Sequence, residues 1–184
     1  RATGKEKVPA GEGRTFKCHA PGLVSLPADD FGELLDFRKK CAQLHREIAG
    51  AARIIDQSLE RIQYLNKALD RVRGENRSLL EVSRTLQNRL LDLQDRLYGD
   101  SSRYRRAEPT APGIYGRLGA ALWTVSRSNS EPTQTACRQF QLAGEQFESF
   151  VLDLTRITER ELPRLLQQAR EAGAPWIPGF DLGK

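Results

Sequence analysis

Apolar side chains recur every seven residues along a long proline-free stretch that begins near Asp29. One series comprises Leu34, Cys41, Ile48, Ile55, Ile62 and Leu69, and the interleaved series comprises Phe37, Leu44, Ala51, Ser58, Leu65 and Val72. An apolar seam of about six heptads stays on one side of the chain only if the segment is a long helix that packs against partner helices. The pattern predicts a helix over residues 29–73, with Asp30 and Glu33 as a capping box at its start.

Three further amphipathic segments are predicted to be helices, over residues 76–98, 113–127 and 131–172. Their apolar stripes are Leu79, Val82, Leu86, Leu90, Leu93 and Leu97; then Ile114, Leu118, Leu122 and Val125; then Cys137, Phe140, Ala143, Phe147, Val151, Leu154, Ile157, Leu162 and Leu165. Gly74 predicts a turn, with Asn76 or Ser78 starting the second helix, so that the first two helices form an antiparallel hairpin. Pro163 predicts a kink in the last helix.

The fold class that follows is all-α: an elongated antiparallel helical bundle of three to four helices, two of them long, over residues 28–174. Residues 1–27 are dense in Gly and Pro, which predicts an irregular extended arm with a short strand at 14–18, or the remnant of a preceding β domain. Residues 175–184 form a Pro-rich and aromatic tail. Because the helices differ in length, we expect part of the long seams to stay exposed as an apolar stripe.

Composition narrows the class of partner. The 184 residues carry 29 Lys and Arg against 24 Asp and Glu, a net charge of +5, with both signs interspersed along the helices. That mixture is typical of solvated helix faces and predicts no nucleic-acid binding. The longest mostly apolar stretch, residues 118–125, is far shorter than the roughly 20 residues that a membrane span needs. The chain begins at Arg1 and has no Met, so we expect a processed or partial chain.

No motif in the sequence predicts catalysis, a cofactor or a metal. The two histidines, His19 and His45, lack zinc-site spacing, a Glu-x-x-His pair and the neighbours of a hydrolytic triad. The three cysteines leave two alternatives: Cys41 and Cys137 are buried thiols on apolar helix faces, or one disulfide forms in an oxidising compartment. We therefore predict a protein that is not an enzyme, with no cofactor and no small-molecule ligand.

Two surface features are the candidate interface. One is the basic run Arg103-Tyr104-Arg105-Arg106 in a polar loop over residues 99–112, which either contacts an acidic partner, lipid head groups or nucleic acid, or is simply solvated. The other is the tail with Trp176 and Phe180, of which Trp176 either packs on the bundle end or anchors an interface. Trp123 has a similar pair of alternatives, of which packing in the core or within the hairpin is favoured over an interface role.

Several short stretches together resemble a known family. They are Leu26-Pro27-Ala28-Asp29-Asp30-Phe31, residues 118–125, Ser130-Glu131-Pro132-Thr133-Gln134, Glu161-Leu162-Pro163-Arg164-Leu165 and Gly173-Ala174-Pro175-Trp176. In this order they resemble the C-terminal helical region of bacterial sortilin-like proteins, which are BNR-repeat, glycosyl hydrolase-like β-propeller proteins. The resemblance covers residues 26–178.

This resemblance implies an extracytoplasmic bacterial setting, periplasmic or secreted. In that family a propeller and a small β-sandwich precede the helices, and any chemistry would belong to the propeller. This chain has no propeller blades, so the resemblance carries over no catalytic residue and no activity.

These observations predict a non-catalytic structural or protein-interaction module, an accessory or scaffolding subunit of a larger, membrane-associated bacterial envelope assembly. Two alternatives stay open. One is a helical module associated with a secreted glycosyl hydrolase-like propeller protein. The other is a peripheral binder of anionic surfaces that acts through residues 103–106.

Overall fold

The computed structural model describes residues 29–72, 76–127 and 129–178, and it is all-α over them. The elements are α1 (Phe31–Leu69), α2 (Arg77–Tyr98), α3 (Ser101–Arg105), α4 (Ile114–Ser126), α5 (Gln134–Arg156), a π-helical turn (Ile157–Glu161) and α6 (Leu162–Glu171). Since α5, the π turn and α6 follow one another without a break, the described residues form five helical segments, two of them long. The predicted arm over residues 1–27 lies outside the described residues, and so does the tail from residue 179.

Helix α1 carries the predicted seam. Its 39 residues correspond to a length of about 60 Å. Every member of the first heptad series is buried, and so are the four central members of the second. Ser58, the polar member, is buried because its hydroxyl donates to the Ile54 carbonyl at 2.7 Å. At the start of the helix, the Asp30 carboxylate caps the amides of Gly32 and Glu33.

Helix α2 packs antiparallel to α1, because Ser83 contacts Asn66 while Gln94, further along α2, contacts the earlier residue Asp56. Its buried stripe departs from the predicted one at the first turns. Val82 is exposed, and Ser83 takes the buried position because its hydroxyl donates to the Asn66 side chain at 2.7 Å.

Helix α2 begins after Asn76, one of the two predicted positions, which lies at the N-cap. The Asn76 side chain makes no capping bond to an α2 amide, however. Instead it donates to the Leu69 carbonyl at the end of α1. Asn76 therefore ties the two helix ends together.

Helices α2 and α4 cover α1 in succession. The α2 contacts lie along the second half of α1, whereas His45 contacts Tyr115 and Leu34 clusters with Val125 at the first half. Over α1, two shorter helices placed end to end bury the central seam, whereas Val82 and Val151 of the other predicted stripes are exposed.

The last long segment runs antiparallel to α2, with Arg96 bonded to Asp153 and Arg89 to Glu161. Two positions of its predicted stripe are wrong, because Cys137 and Val151 are exposed while Ala136 and Phe150 are buried in their place. Around Pro163 the last long segment departs from a regular α-helix. A π turn precedes the proline, which is a local widening that accommodates the lost backbone bond.

Between α2 and α4, residues 100–112 leave the bundle and return to the same place; we call this segment the 100–112 loop. Its two ends touch: a Cβ added to Gly113 would lie 2.5 Å from the Gly99 backbone nitrogen. Gly99 has a φ of +91°, which favours glycine at the departure point. The segment is not wholly irregular as predicted, because Asp100 caps the five-residue helix α3 through the amides of Ser102 and Arg103.

No helix in the described part of the chain combines the length and the apolar character that crossing a membrane requires.

Candidate functional site

The basic run predicted from the sequence lies on α3 and the turn after it. Tyr104 is 80% exposed. Two of the three arginines are paired within the 100–112 loop: Arg103 Nε lies 3.4 Å from an Asp100 carboxylate oxygen, and Arg106 binds Glu108 through two bonds of 2.7 and 3.2 Å. Acidic side chains of the same loop therefore neutralise two of its three arginines.

Hydrogen bonds within the loop shift the pKa values of Asp100 and Arg106. Hydrogen bonds from the Ser102 hydroxyl and the Arg103 amide hold the pKa of Asp100 below its ordinary value. The hydrogen bond to Glu108 raises the pKa of Arg106. Both shifts stabilise the charged forms, so the loop stays zwitterionic at neutral pH.

The structure does not bring the two halves of the predicted interface together. Trp176 is 59% exposed and follows α6, which runs back toward the start of α2. The 100–112 loop leaves from the other end of α2, and the 22 residues of that helix span about 30 Å. Phe180 lies outside the described residues.

An exposed aromatic surface lies where α1, α2 and α4 meet, at the foot of the 100–112 loop. Tyr98 and Tyr115 pack with their ring centroids 5.8 Å apart, and Tyr115 packs against His45 at 5.6 Å. Tyr98 and Tyr115 are 53% and 44% exposed, and His45 is half-buried. Together with Gly119 and Trp123, these residues define what we call the aromatic face.

Gly119 creates a notch in this surface. Tyr115, Gly119 and Trp123 are spaced four residues apart, so they lie along one side of α4. A Cβ added to Gly119 would have no atom within 4 Å. The helix surface between the two aromatic side chains is therefore open to solvent.

Trp123 is not a core residue as the sequence predicted. Its side chain is 61% exposed, and the Arg127 guanidinium lies 3.6 Å from the ring centroid. A cation stacked on an aromatic ring contributes about 0.5–1 kcal/mol at an exposed site. The contact leaves most of the indole open to solvent.

The sequence pattern did not identify Tyr98 and Tyr115 as surface residues, and its favoured position for Trp123 in the core is wrong. A signal was present for α4: Tyr115, Gly119 and Trp123 follow each other at helical spacing and alternate with the buried row of Ile114, Leu118 and Val125. Tyr98 is separated from Tyr115 by 17 positions in the sequence, so only the return of the 100–112 loop reveals that the two rings meet.

The two cysteines in the described part of the chain differ in exposure. Cys41 is fully buried, whereas Cys137 is exposed, and neither forms a disulfide. Burial, with a smaller effect from Cys137, raises the pKa of Cys41 to about 11. The third cysteine, Cys18, lies outside the described residues. In the same described part of the chain, no three His, Cys, Asp or Glu side chains converge as metal ligands would.

Comparison with protein-family models, with curated proteins and with solved structures finds no match to this chain. The functional conclusion therefore depends on the residues of the chain itself.

Proposed function

We propose that this chain is a non-catalytic protein-interaction module that docks a protein partner through the aromatic face. The observation that carries the proposal is the contiguous set of half-exposed rings, His45, Tyr115 and Tyr98, beside the open notch at Gly119. Tyr, Trp and Arg are enriched at protein interfaces, where they bury large areas at low entropic cost. The Trp123–Arg127 stack adds both residue types at the edge of this surface.

The helical bundle supports this role because it holds the rings rigidly. Tyr115 follows the buried Ile114, and Tyr98 follows the buried Leu97, so each ring projects from a helix fixed in the core. A partner that binds here meets side chains already ordered by the fold, which lowers the entropy lost on binding.

The test uses two glycines that lie on helices and whose added Cβ would meet nothing within 4 Å: Gly119 in the aromatic face and Gly50 outside it. Glutamine replaces each in turn, which improves helix propensity by roughly 0.5–1 kcal/mol and leaves the fold intact. Only Gly119→Gln fills the notch. The full chain and its variants are used to capture partners from the native cell, and each partner is quantified by mass spectrometry.

We expect one protein to be retained by the wild-type chain and by Gly50→Gln, and to fall about tenfold or more with Gly119→Gln, as for loss of an interface hot spot. Trp123→Ala should weaken the same partner. Equal recovery with Gly119→Gln and Gly50→Gln would rule out the aromatic face as the docking surface.

The setting of this module stays a proposal based on the sequence resemblance. We place it outside the bacterial cytoplasm, periplasmic or secreted, as an accessory subunit of an envelope assembly or beside a sortilin-like propeller protein. The five short stretches quoted above support this placement. Fractionation of the native cell tests it, since recovery in the cytoplasmic fraction contradicts it.

The anionic-surface alternative has less support, since Arg103 and Arg106 are already paired with acids of the 100–112 loop. Binding of the chain to vesicles rich in phosphatidylserine would favour it, provided that replacing Arg103, Arg105 and Arg106 by alanine removes the binding.

A further inference from the structure

A second surface lies on the other flank of α1, where this helix meets α5. Between residues 39–47 of α1 and residues 140–148 of α5 runs a groove of about 810 Å³, which we call the α1–α5 groove. Its floor is apolar and shallow: Leu44 and Phe140 lie at the bottom, and Gly144 leaves the α5 side open because a Cβ there would meet nothing within 4 Å. The groove is separate from the aromatic face, which lies toward α4.

The apolar surface extends past the end of the groove. On α5, Val151 lies seven residues beyond Gly144 and Leu152 four beyond Glu148, so both continue the same side of the helix. On α1, Ile54 continues the row of Glu47 in the same way. Leu152 is 73% exposed, Ile54 43% and Val151 37%.

The two walls of the groove carry opposite charge. The α1 wall presents Lys39, Lys40 and Arg46 with a single acid, Glu47. The α5 wall presents the two acids Glu145 and Glu148 and no base.

These charges do not pair across the groove. Among the described residues no ion pair joins its two walls. Lys39 pairs instead with Asp36 on its own helix, and Glu145 accepts from Gln141 on its own helix. Lys39 is therefore partly neutralised, whereas Lys40 and Arg46 on one wall and Glu145 and Glu148 on the other form no ion pair among the described residues and keep their charge for another molecule.

We propose that the α1–α5 groove is the contact surface between two copies of this chain. A twofold axis parallel to the helices places α1 of each copy against α5 of the other. The basic wall then meets the acidic wall twice, and the apolar floors face each other. A twofold axis across the helices would instead set basic wall against basic wall. The dimer goes beyond the proposed docking role and leaves both aromatic faces open.

The test is charge reversal measured by sedimentation equilibrium on the purified full chain at low ionic strength. One variant carries Lys40→Glu and Arg46→Glu, and the other carries Glu145→Lys and Glu148→Lys. We expect the wild type to sediment at twice its 20.7 kDa mass. Each variant alone should lose dimer affinity by at least about tenfold, since like charges then face each other twice.

The two variants mixed together should form a heterodimer, and a chain carrying all four changes should dimerise again. A control with Arg84→Glu and Arg160→Glu, exposed residues outside the groove, should dimerise as the wild type does. Gly144→Gln should weaken the dimer, and added salt should do the same. Circular dichroism checks that each variant remains helical.

A wild-type chain that stays monomeric under these conditions would overturn the proposal. So would a dimer that neither reversal weakens, or two reversed variants that fail to associate when mixed. Because the measurement needs no partner protein, its failure is distinct from failure of the docking function.

Discussion

Burial separates the chemistry of two cysteines on neighbouring helices. Cys41 lies in the seam of α1, and desolvation disfavours its thiolate, whereas Cys137 lies on the exposed side of α5. The sequence places both on apolar stripes, but the stripe of α5 is one position away from the predicted one at its first turn, where Ala136 is buried instead. Ala136 lies seven residues before the buried Ala143 and fourteen before the buried Phe150, so the series was present in the sequence, but the weak hydrophobicity of alanine did not distinguish it from the neighbouring cysteine.

We expect Cys137 to be alkylated by iodoacetamide much faster than Cys41 at pH 8, measured by peptide mass spectrometry in a Cys18→Ser chain. With its pKa raised to about 11, only about one Cys41 in a thousand is a thiolate at that pH. Because burial also blocks the reagent, unfolding in urea should remove the difference. Equal rates in the folded chain would show that Cys41 is accessible.

Exposed aromatic residues were the least predictable from sequence. Trp123 is large and apolar, and it is one position past the partly buried Leu122, so hydrophobicity alone favours burial. Its exposure follows from the rotation of α4, which is set by Ile114, Leu118 and Val125 packing inward. The residue types therefore predicted the helix, but they did not predict which of its side chains point into the core.

At the scale of elements, the 100–112 loop lies between α2 and α4 in the sequence. The contact between Gly99 and Gly113 nevertheless keeps the end of α2 next to the start of α4. The heptad and 3.6-residue patterns predicted the four main helices, because each buries a continuous stripe. They could not predict α3, since five residues with no buried side chain carry no period. Nor could they show that α2 and α4 together match the length of α1.

We expect Gly113→Ala to destabilise the chain by about 1–3 kcal/mol in urea unfolding, as overpacking does. The new Cβ would lie 2.5 to 2.7 Å from backbone atoms of Leu97, Tyr98 and Gly99, which cannot move aside as a side chain would. Gly116→Ala is the matched control, because its nearest neighbour is a Pro112 side-chain atom at 3.4 Å. An equally stable Gly113→Ala chain would mean that the two ends do not touch.

At the scale of the whole molecule, the ionic contacts between α2 and the last long segment hold two helices that are distant in sequence. Arg96 donates to Asp153 at 2.7 Å and to the Ser149 hydroxyl at 3.2 Å. The Arg96 hydrogen bond holds the pKa of Asp153 below its ordinary value of 3.8. Because the folded state binds this proton less tightly, the stabilisation is present above pH 3.8 and is lost as the pH falls below it.

Asp153→Asn should therefore lower the free energy of unfolding at pH 7 by about 0.2–1 kcal/mol, the range of exposed pairs, and should reduce the loss of stability on acidification. Urea titrations at several pH values measure both effects. Asp92→Asn, an exposed aspartate that makes no ion pair in the described part of the chain, should change neither. An Asp153→Asn chain with wild-type acid sensitivity would assign the acid response to other carboxylates.

The fold was more predictable than the candidate site for a physical reason. Buried positions repeat at regular intervals along a helix, so many residues give evidence for the same buried seam. In α1 these residues run from Leu34 to Leu69. The aromatic face depends on the meeting of His45, Tyr98 and Tyr115, which belong to three different helices. No local pattern encodes that meeting.

The most direct test of the docking role is photo-crosslinking in the native cell, with benzoylphenylalanine at position 119 and, as controls, at positions 50 and 144. The account predicts a partner adduct from position 119, none from position 50, and a dimer of the chain from position 144. A partner adduct that forms equally well from position 50, or a position 119 that yields none, would contradict the claim that the aromatic face docks the partner.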